Sequence, residues 1–183
     1  MTTAPTPDTT PFLHGTARLT LGSVDESDLD IVAQYNPKEL QIDRAIQWTA
    51  PNQANNANTS KPAATAAKGI HLEYTGSEGR SLSIELLFDG YEDNDPSKVT
   101  GPIWNLEALA TVRDADSKDE GLRRPHLCLI SWGNQGLPVF RCVIESLSIK
   151  YTMFRGDGAP LRATATVKLK EADAIDAAKT GKP

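Results

Sequence analysis

Hydrophobic and polar positions alternate along most of this chain, and the longest such stretch lies near its C-terminus. After Glu145, the residues Leu147, Ile149, Tyr151 and Met153 fall on one face of an extended chain, with Ser146, Ser148, Lys150 and Thr152 on the other. Further on, Ala163, Ala165, Val167 and Leu169 alternate with Arg162, Thr164, Thr166, Lys168 and Lys170. Between the two runs stand Gly156, Asp157, Gly158 and Pro160. Alternation on both sides of a Gly-Asp-Gly turn predicts a β-hairpin, because only a period of two keeps one side of a strand apolar. Each arm covers roughly 8 to 10 residues, longer than the common strand of about 5 to 6.

The same reading places shorter elements upstream. Ala17 to Leu21 and Ile31 to Tyr35 read as strands, the second ended by Asn36-Pro37, since the residue before proline is pushed out of helical geometry. Lys38 to Trp48 is again mostly period two, with a helical turn as the alternative. Ile70 to Tyr74 and Arg80 to Asp89, separated by Gly76 to Gly79, predict a second hairpin, with Leu82, Ile84, Leu86 and Phe88 on its inner face. Gly90 to Ser97 breaks that strand. After Gly101-Pro102, the spacing of Ile103, Leu106, Leu109, Ala110 and Val112 predicts a helix with Pro102 in its first turn. Pro125 to Trp132 and Val139 to Glu145 pair across a turn. The sum is about seven strands and one helix: a mainly β, antiparallel fold with the helix packed on it.

Residues 1–15 are rich in Pro and Thr and read as a flexible N-terminal arm. The stretch 49–68 has no large apolar residue and reads as a long mobile loop inside a domain spanning 16–172, with 173–183 as a tail. A length of 183 residues suits one such domain, which buries on the order of 70% of its unfolded surface.

Composition narrows the function. A net charge of -5 argues against nucleic acid, which needs a basic stripe to neutralise phosphates. No run approaches the roughly 20 apolar residues of a membrane span. The start of the chain lacks a basic and apolar leader, so synthesis and folding in the cytoplasm are expected. Cys128 and Cys142 are expected as reduced thiols, facing each other if their strands pair.

No constellation of catalytic residues emerges. His14, His71 and His126 are scattered without a second ligand at metal spacing and read as surface or half-buried structural residues. Asp114, Asp116, Asp119 and Glu120 miss the calcium-loop register, because Lys118 takes a ligand position. Asp89, Glu92, Asp93 and Asp95 occupy a turn, where acidic residues are expected for conformational reasons. The chain therefore reads as no enzyme, with no catalytic, cofactor or metal residues. Trp48, Trp104 and Trp132 read as core or interface packing.

The order of motifs adds a family. Tyr35-Asn36-Pro37-x-Glu39, Trp48, Leu82-x-Ile84-Glu85-Leu86-Leu87-Phe88-Asp89 and Trp132-Gly133 follow one another along the chain. Tyr151-Thr152-x-Phe154, Gly158-x-Pro160-Leu161-Arg162-Ala163 and Lys168-Leu169-x-Glu171 complete the series. This order resembles the N-terminal domain of the tube or baseplate adaptor proteins of contractile injection systems, the phage-tail-like particles. Many of that family continue into a LysM module, which is not expected here.

The resemblance implies a tail-tube-like β-barrel or sandwich that forms a homo-hexameric ring between the inner tube and the spike hub. The implied partners are further copies of the chain, the inner tube protein, the spike or hub and other baseplate proteins. The resemblance implies membership of an injection particle, either released or membrane-associated. Tyr151, Phe154, Arg155, Leu161, Arg162, Thr164, Thr166 and Lys168 are the candidate assembly residues. Two other readings stay open: an inner-tube subunit of the same particle, and a monomeric carbohydrate-binding β-module using Trp48 or Trp132.

Overall fold

The computed structural model describes residues 17–50, 72–133 and 137–173. These contain β1 (Leu19–Ser23), β2 (Ile31–Val32), β3 (Gln41–Asp43), β4 (Ile46–Thr49), β5 (Glu73–Ser77), β6 (Ser81–Asp89), α1 (Ser97–Ala110), β7 (Cys128–Trp132), β8 (Leu137–Phe154) and β9 (Pro160–Glu171). Seven strands make one sheet in the order β2-β1-β7-β8-β9-β6-β3, and β4 pairs with β5 in a separate ribbon. Every pairing is antiparallel. The β-rich, antiparallel class that the alternation predicts is the observed one. The stretch 49–68 (apart from its first two residues), the N-terminal arm 1–15 with residue 16, and the tail beyond 173 lie outside the described residues.

The β8–β9 hairpin forms as its pattern requires. Ala163, Ala165, Val167 and Leu169 are buried, opposite Tyr151, Ile149, Leu147 and Ile144 respectively. Register shifts fall between Ile144 and Ser146 and between Tyr151 and Met153. The first is a bulge at Glu145 that moves the inward parity of β8 from Cys142 and Ile144 to Leu147 and Ile149. The second corrects the expected face of Met153, which stands opposite Arg162 on the polar side, because one extra residue reverses the alternation.

Beside β9, strand β6 buries Leu82, Ile84, Leu86 and Phe88 as expected. Helix α1 lies over β6, β8 and β9, with Val99, Ile103, Leu106 and Leu109 buried. Fully buried Ala163 and Ala165 present little bulk beneath it, which lets the helix approach the sheet. The helix begins at Ser97, not after Gly101. Val99 adds one more inward position, and Asp95 accepts hydrogen bonds from the Ser97 backbone N–H at 2.9 Å and its hydroxyl at 2.7 Å. Pro102 consequently sits inside the helix. Gly90 permits the tight turn into it, since a Cβ there would lie 2.1 Å from the Asp95 carbonyl oxygen.

The second predicted hairpin is not formed. Strand β5 turns away from β6 and pairs with β4, because both sides of β6 near Ser81 are taken, by β9 and by β3. Strand β7 does pair with β8, and Cys128 faces Cys142 directly as free thiols. Burial pushes both up to about 12, which keeps them protonated and unreactive.

One segment shows how far the sheet curls. In a flat sheet β2 and β6 would stand about 24 Å apart, five strand spacings of roughly 4.8 Å. Yet Gln34, two residues beyond β2, bonds the backbone of Asp89 at the end of β6 with its side-chain amide. Its Oε1 accepts from the Asp89 N–H at 2.7 Å and its Nε2 donates to the Asp89 carbonyl at 2.6 Å. Asn36 grips β1 in the same manner, accepting from Leu19 N–H at 3.1 Å and donating to the Ala17 carbonyl at 2.8 Å. Among the described residues no ladder joins β2 to β6, and the Gln34 amide alone bridges them, while Asn36 fastens the chain beyond β2 to neighbouring β1.

Candidate assembly surface

Strand β8 is far longer than its neighbour β7, and this leaves an edge. Residues Leu137 to Cys142 carry all the pairing with β7, so from Val143 to Phe154 no strand adjoins β8 on that side among the described residues. At the other end of the sheet order, β3 is three residues long and is paired only with β6. Unpaired strand edges are templates for a further strand. Near the end of the β8 edge, Tyr151 and Phe154 are exposed, their ring centroids 6.2 Å apart.

The hairpin tip and polar face are held by ion pairs within the subunit. Arg155 N–H donates to the Ala159 carbonyl at 2.7 Å, and its guanidinium grips Asp157 at 2.5 to 3.0 Å. Gly158 has φ 89, a conformation that favours glycine. Arg162 donates twice to one carboxylate oxygen of Asp89, at 2.9 and 2.5 Å, tying β9 to the end of β6. Leu161 is buried within the subunit. Thr164 and Thr166 are half-buried on the polar face and Lys168 is exposed. By register these three continue into Leu87, Glu85 and Ser83 of β6.

The β4–β5 ribbon is a surface that the alternation did not single out. Ile46, Trp48, Leu72 and Tyr74 are each about half exposed, and the Trp48 and Tyr74 rings meet edge-on at 5.6 Å. The ribbon is anchored where β6 and β9 meet at Ser81 and Lys170, through Glu78 N–H to the Ala45 carbonyl and Lys170 to Glu78. It therefore leaves the sheet at the end opposite the Arg155–Ala159 turn, since β6 runs from Ser81 beside Lys170 to Asp89 beside Arg162. A lone two-stranded ribbon is marginal in water without a further surface to cover it. Trp104, on the outer side of α1, is exposed as well, whereas half-buried Trp132 donates its indole N–H to the Ala17 carbonyl at 3.1 Å.

The polar interior is structural in its geometry. Buried His126 shares a hydrogen bond between Nδ1 and the Ser23 hydroxyl at 2.8 Å, while Ser23 Oγ takes the backbone N–H groups of Asp25 and Glu26, both at 3.0 Å. That arrangement makes Ser23 a turn cap. Asp25 accepts from both terminal nitrogens of Arg124, at 2.9 and 3.0 Å, and from Leu127 N–H at 2.9 Å. The Arg124 bond foremost holds the carboxyl down at about 2. At the far end, Glu171 grips Arg80, whose guanidinium also stacks over Phe140 at 4.6 Å. Among the described residues, no group of three or more His, Cys, Asp or Glu is placed to hold a metal ion. His14 and His71 lie outside them.

Comparison with protein-family profiles matches residues 20–180 to the contractile injection system tube protein family. The chain belongs to that family. Among curated proteins none matches it. As a member of the tube family, this chain is a structural component of a contractile injection particle and assembles with other components of it. No helix of the described residues is long and apolar enough to cross a membrane.

Several motif residues that carried the resemblance clamp the tube-family fold together. Asn36 holds β1, Asp89 meets both Gln34 and Arg162, Trp132 fixes Ala17, and Glu171 closes on Arg80. Arg162, a candidate assembly residue, bonds Asp89 within the subunit.

Proposed function

We propose that this tube-family protein forms a hexameric ring in the baseplate, joining the inner tube to the spike or hub. The observation that carries the reading is the free edge of β8 from Val143 to Phe154, with the short β3 at the other end of the sheet order. Each copy offers β8 to one neighbour and β3 to the next. Rotational closure then pairs the free β8 edge of each copy with the β3 edge of the next, which avoids open-ended aggregation through them. In such a ring the Thr164, Thr166 and Lys168 face suits a water-filled lumen, because its side chains are polar and short or flexible.

An adaptor differs from a tube subunit in needing two unlike ends. The apolar ribbon carrying Trp48 and Tyr74 at one end and the charged Arg155–Ala159 turn at the other supply unlike ends. The second reading is an inner-tube subunit, favoured by the family's own description as a tube protein. Co-purification separates them. An adaptor captures the particle's spike or hub protein from one end and its inner tube protein from the other. A tube subunit captures only copies of itself and adjoining tube components.

A further inference from the structure

Strand β6 carries a gap in its pairing. Alternate residues of an antiparallel strand turn both backbone groups to the same side. On the side away from β9, Ser81 and Ser83 face β3, and Asp89 gives its N–H and carbonyl to Gln34. Glu85 and Leu87 share that parity, and among the described residues no partner meets them there. The gap opens into a cleft of about 390 Å³ lined by Tyr35, Asn36, Pro37, Glu85, Leu87 and Thr164 among others. Tyr35 is 50% and Leu87 37% exposed, so the cleft offers apolar surface beside unpaired backbone. Such a site accepts an added strand, with main-chain bonds holding it and side chains selecting it.

We propose that Pro11-Phe12-Leu13-His14 of the N-terminal arm fills this cleft within the same subunit, adding a short strand beside Glu85 and Leu87. The place where the arm starts chooses this occupant. The Ala17 carbonyl accepts from Asn36 Nδ2 at 2.8 Å, and Asn36 lines the cleft. Leu13 is four residues upstream of Ala17, a reach of about 13 Å for extended chain. Phe12 and Leu13 are, after Met1, the large apolar residues of the first 16 positions. Residues 12–14 follow the last proline of the arm, so each has an N–H to give. The arm would shield an edge that otherwise invites a foreign strand. This proposal does not depend on the ring.

Amide hydrogen exchange at Glu85 and Leu87 tests it, comparing the full chain, a variant lacking residues 2–15, and the full-length pair Phe12→Asp and Leu13→Asp. Both alterations should accelerate exchange at these two amides by about tenfold or more, with the global unfolding midpoint retained. A synthetic peptide of residues 9–16 added to the truncated chain should restore protection. Equal exchange in all three proteins would overturn the proposal. So would protection in the full chain that grows with protein concentration, which would place a second copy in the cleft. If the truncated chain fails to fold, the double substitution decides.

Discussion

The side-chain amide of Gln34 takes the place of a strand beside Asp89, accepting its N–H at 2.7 Å and donating to its carbonyl at 2.6 Å. Substituting Ala leaves both backbone groups without that partner at the point where the curled sheet is bridged. Gln34→Ala should lower stability by about 1–3 kcal/mol, read as a lower urea midpoint at unchanged slope. Gln34→Glu, which keeps the acceptor and loses the donor, should fall between it and wild type.

Arg162 and Arg155 differ in role despite flanking one turn. Arg162 is bonded to Asp89, whose side chain is 15% exposed, so Arg162→Glu sets two carboxylates together. That change should cost roughly 1–2 kcal/mol, with solvent screening keeping it below a buried-pair loss. Arg155→Glu affects only the exposed turn around Asp157 and should leave the unfolding midpoint in place. Urea titration of the two variants checks the contrast.

Acid should destabilise the fold in two stages. Burial foremost holds His126 below its ordinary 6.5, with Arg113 and Arg124 pushing the same way against Glu26 and Asp25. The folded state therefore binds fewer protons than the unfolded one. This contribution is full above 6.5 and is lost as pH falls from there towards the depressed folded value. Asp25, held at about 2 against 3.8, contributes fully above 3.8 and loses its share between 3.8 and 2. His126→Gln should flatten the first stage and leave the second, as followed by urea midpoints at stepped pH.

The ribbon at the other end predicts the opposite kind of effect. Trp48 and Tyr74 touch each other and are each more than half exposed. Trp48→Ser with Tyr74→Ser should leave the unfolding midpoint of the isolated chain within about 0.5 kcal/mol of wild type. The same pair should abolish incorporation into particles, scored by immunoblot of purified particles.

Where one buried face imposes a strict period, the fold was legible in the residues. Leu82 to Phe88 and Ala163 to Leu169 alternate and are buried as their order requires. The one-residue slip from Cys142 and Ile144 to Leu147 and Ile149 is also written in the chain, as a change of parity that marks the bulge. Partner choice was less legible. β5 looked like the mate of β6 by proximity, but pairing is decided by which edges remain open, and local pattern does not record that. The candidate assembly residues fall in two groups within the subunit. Tyr151 and Phe154 stand exposed beside a free edge, while Leu161 turned inward and Arg162 found Asp89, a partner 73 residues away. The side-chain amide bonds of Gln34 and Asn36 carry no periodicity, and only the three-dimensional curl brings Gln34 to Asp89.

Mass photometry with negative-stain imaging of the purified full-length chain tests the ring most directly. The account predicts closed rings of one uniform mass, six times that of the chain by the proposed symmetry. It also predicts that Tyr151→Pro, which removes an N–H turned to the free edge of β8, favours smaller species. A protein that stays monomeric at every concentration, or one that grows into filaments without limit, would contradict it.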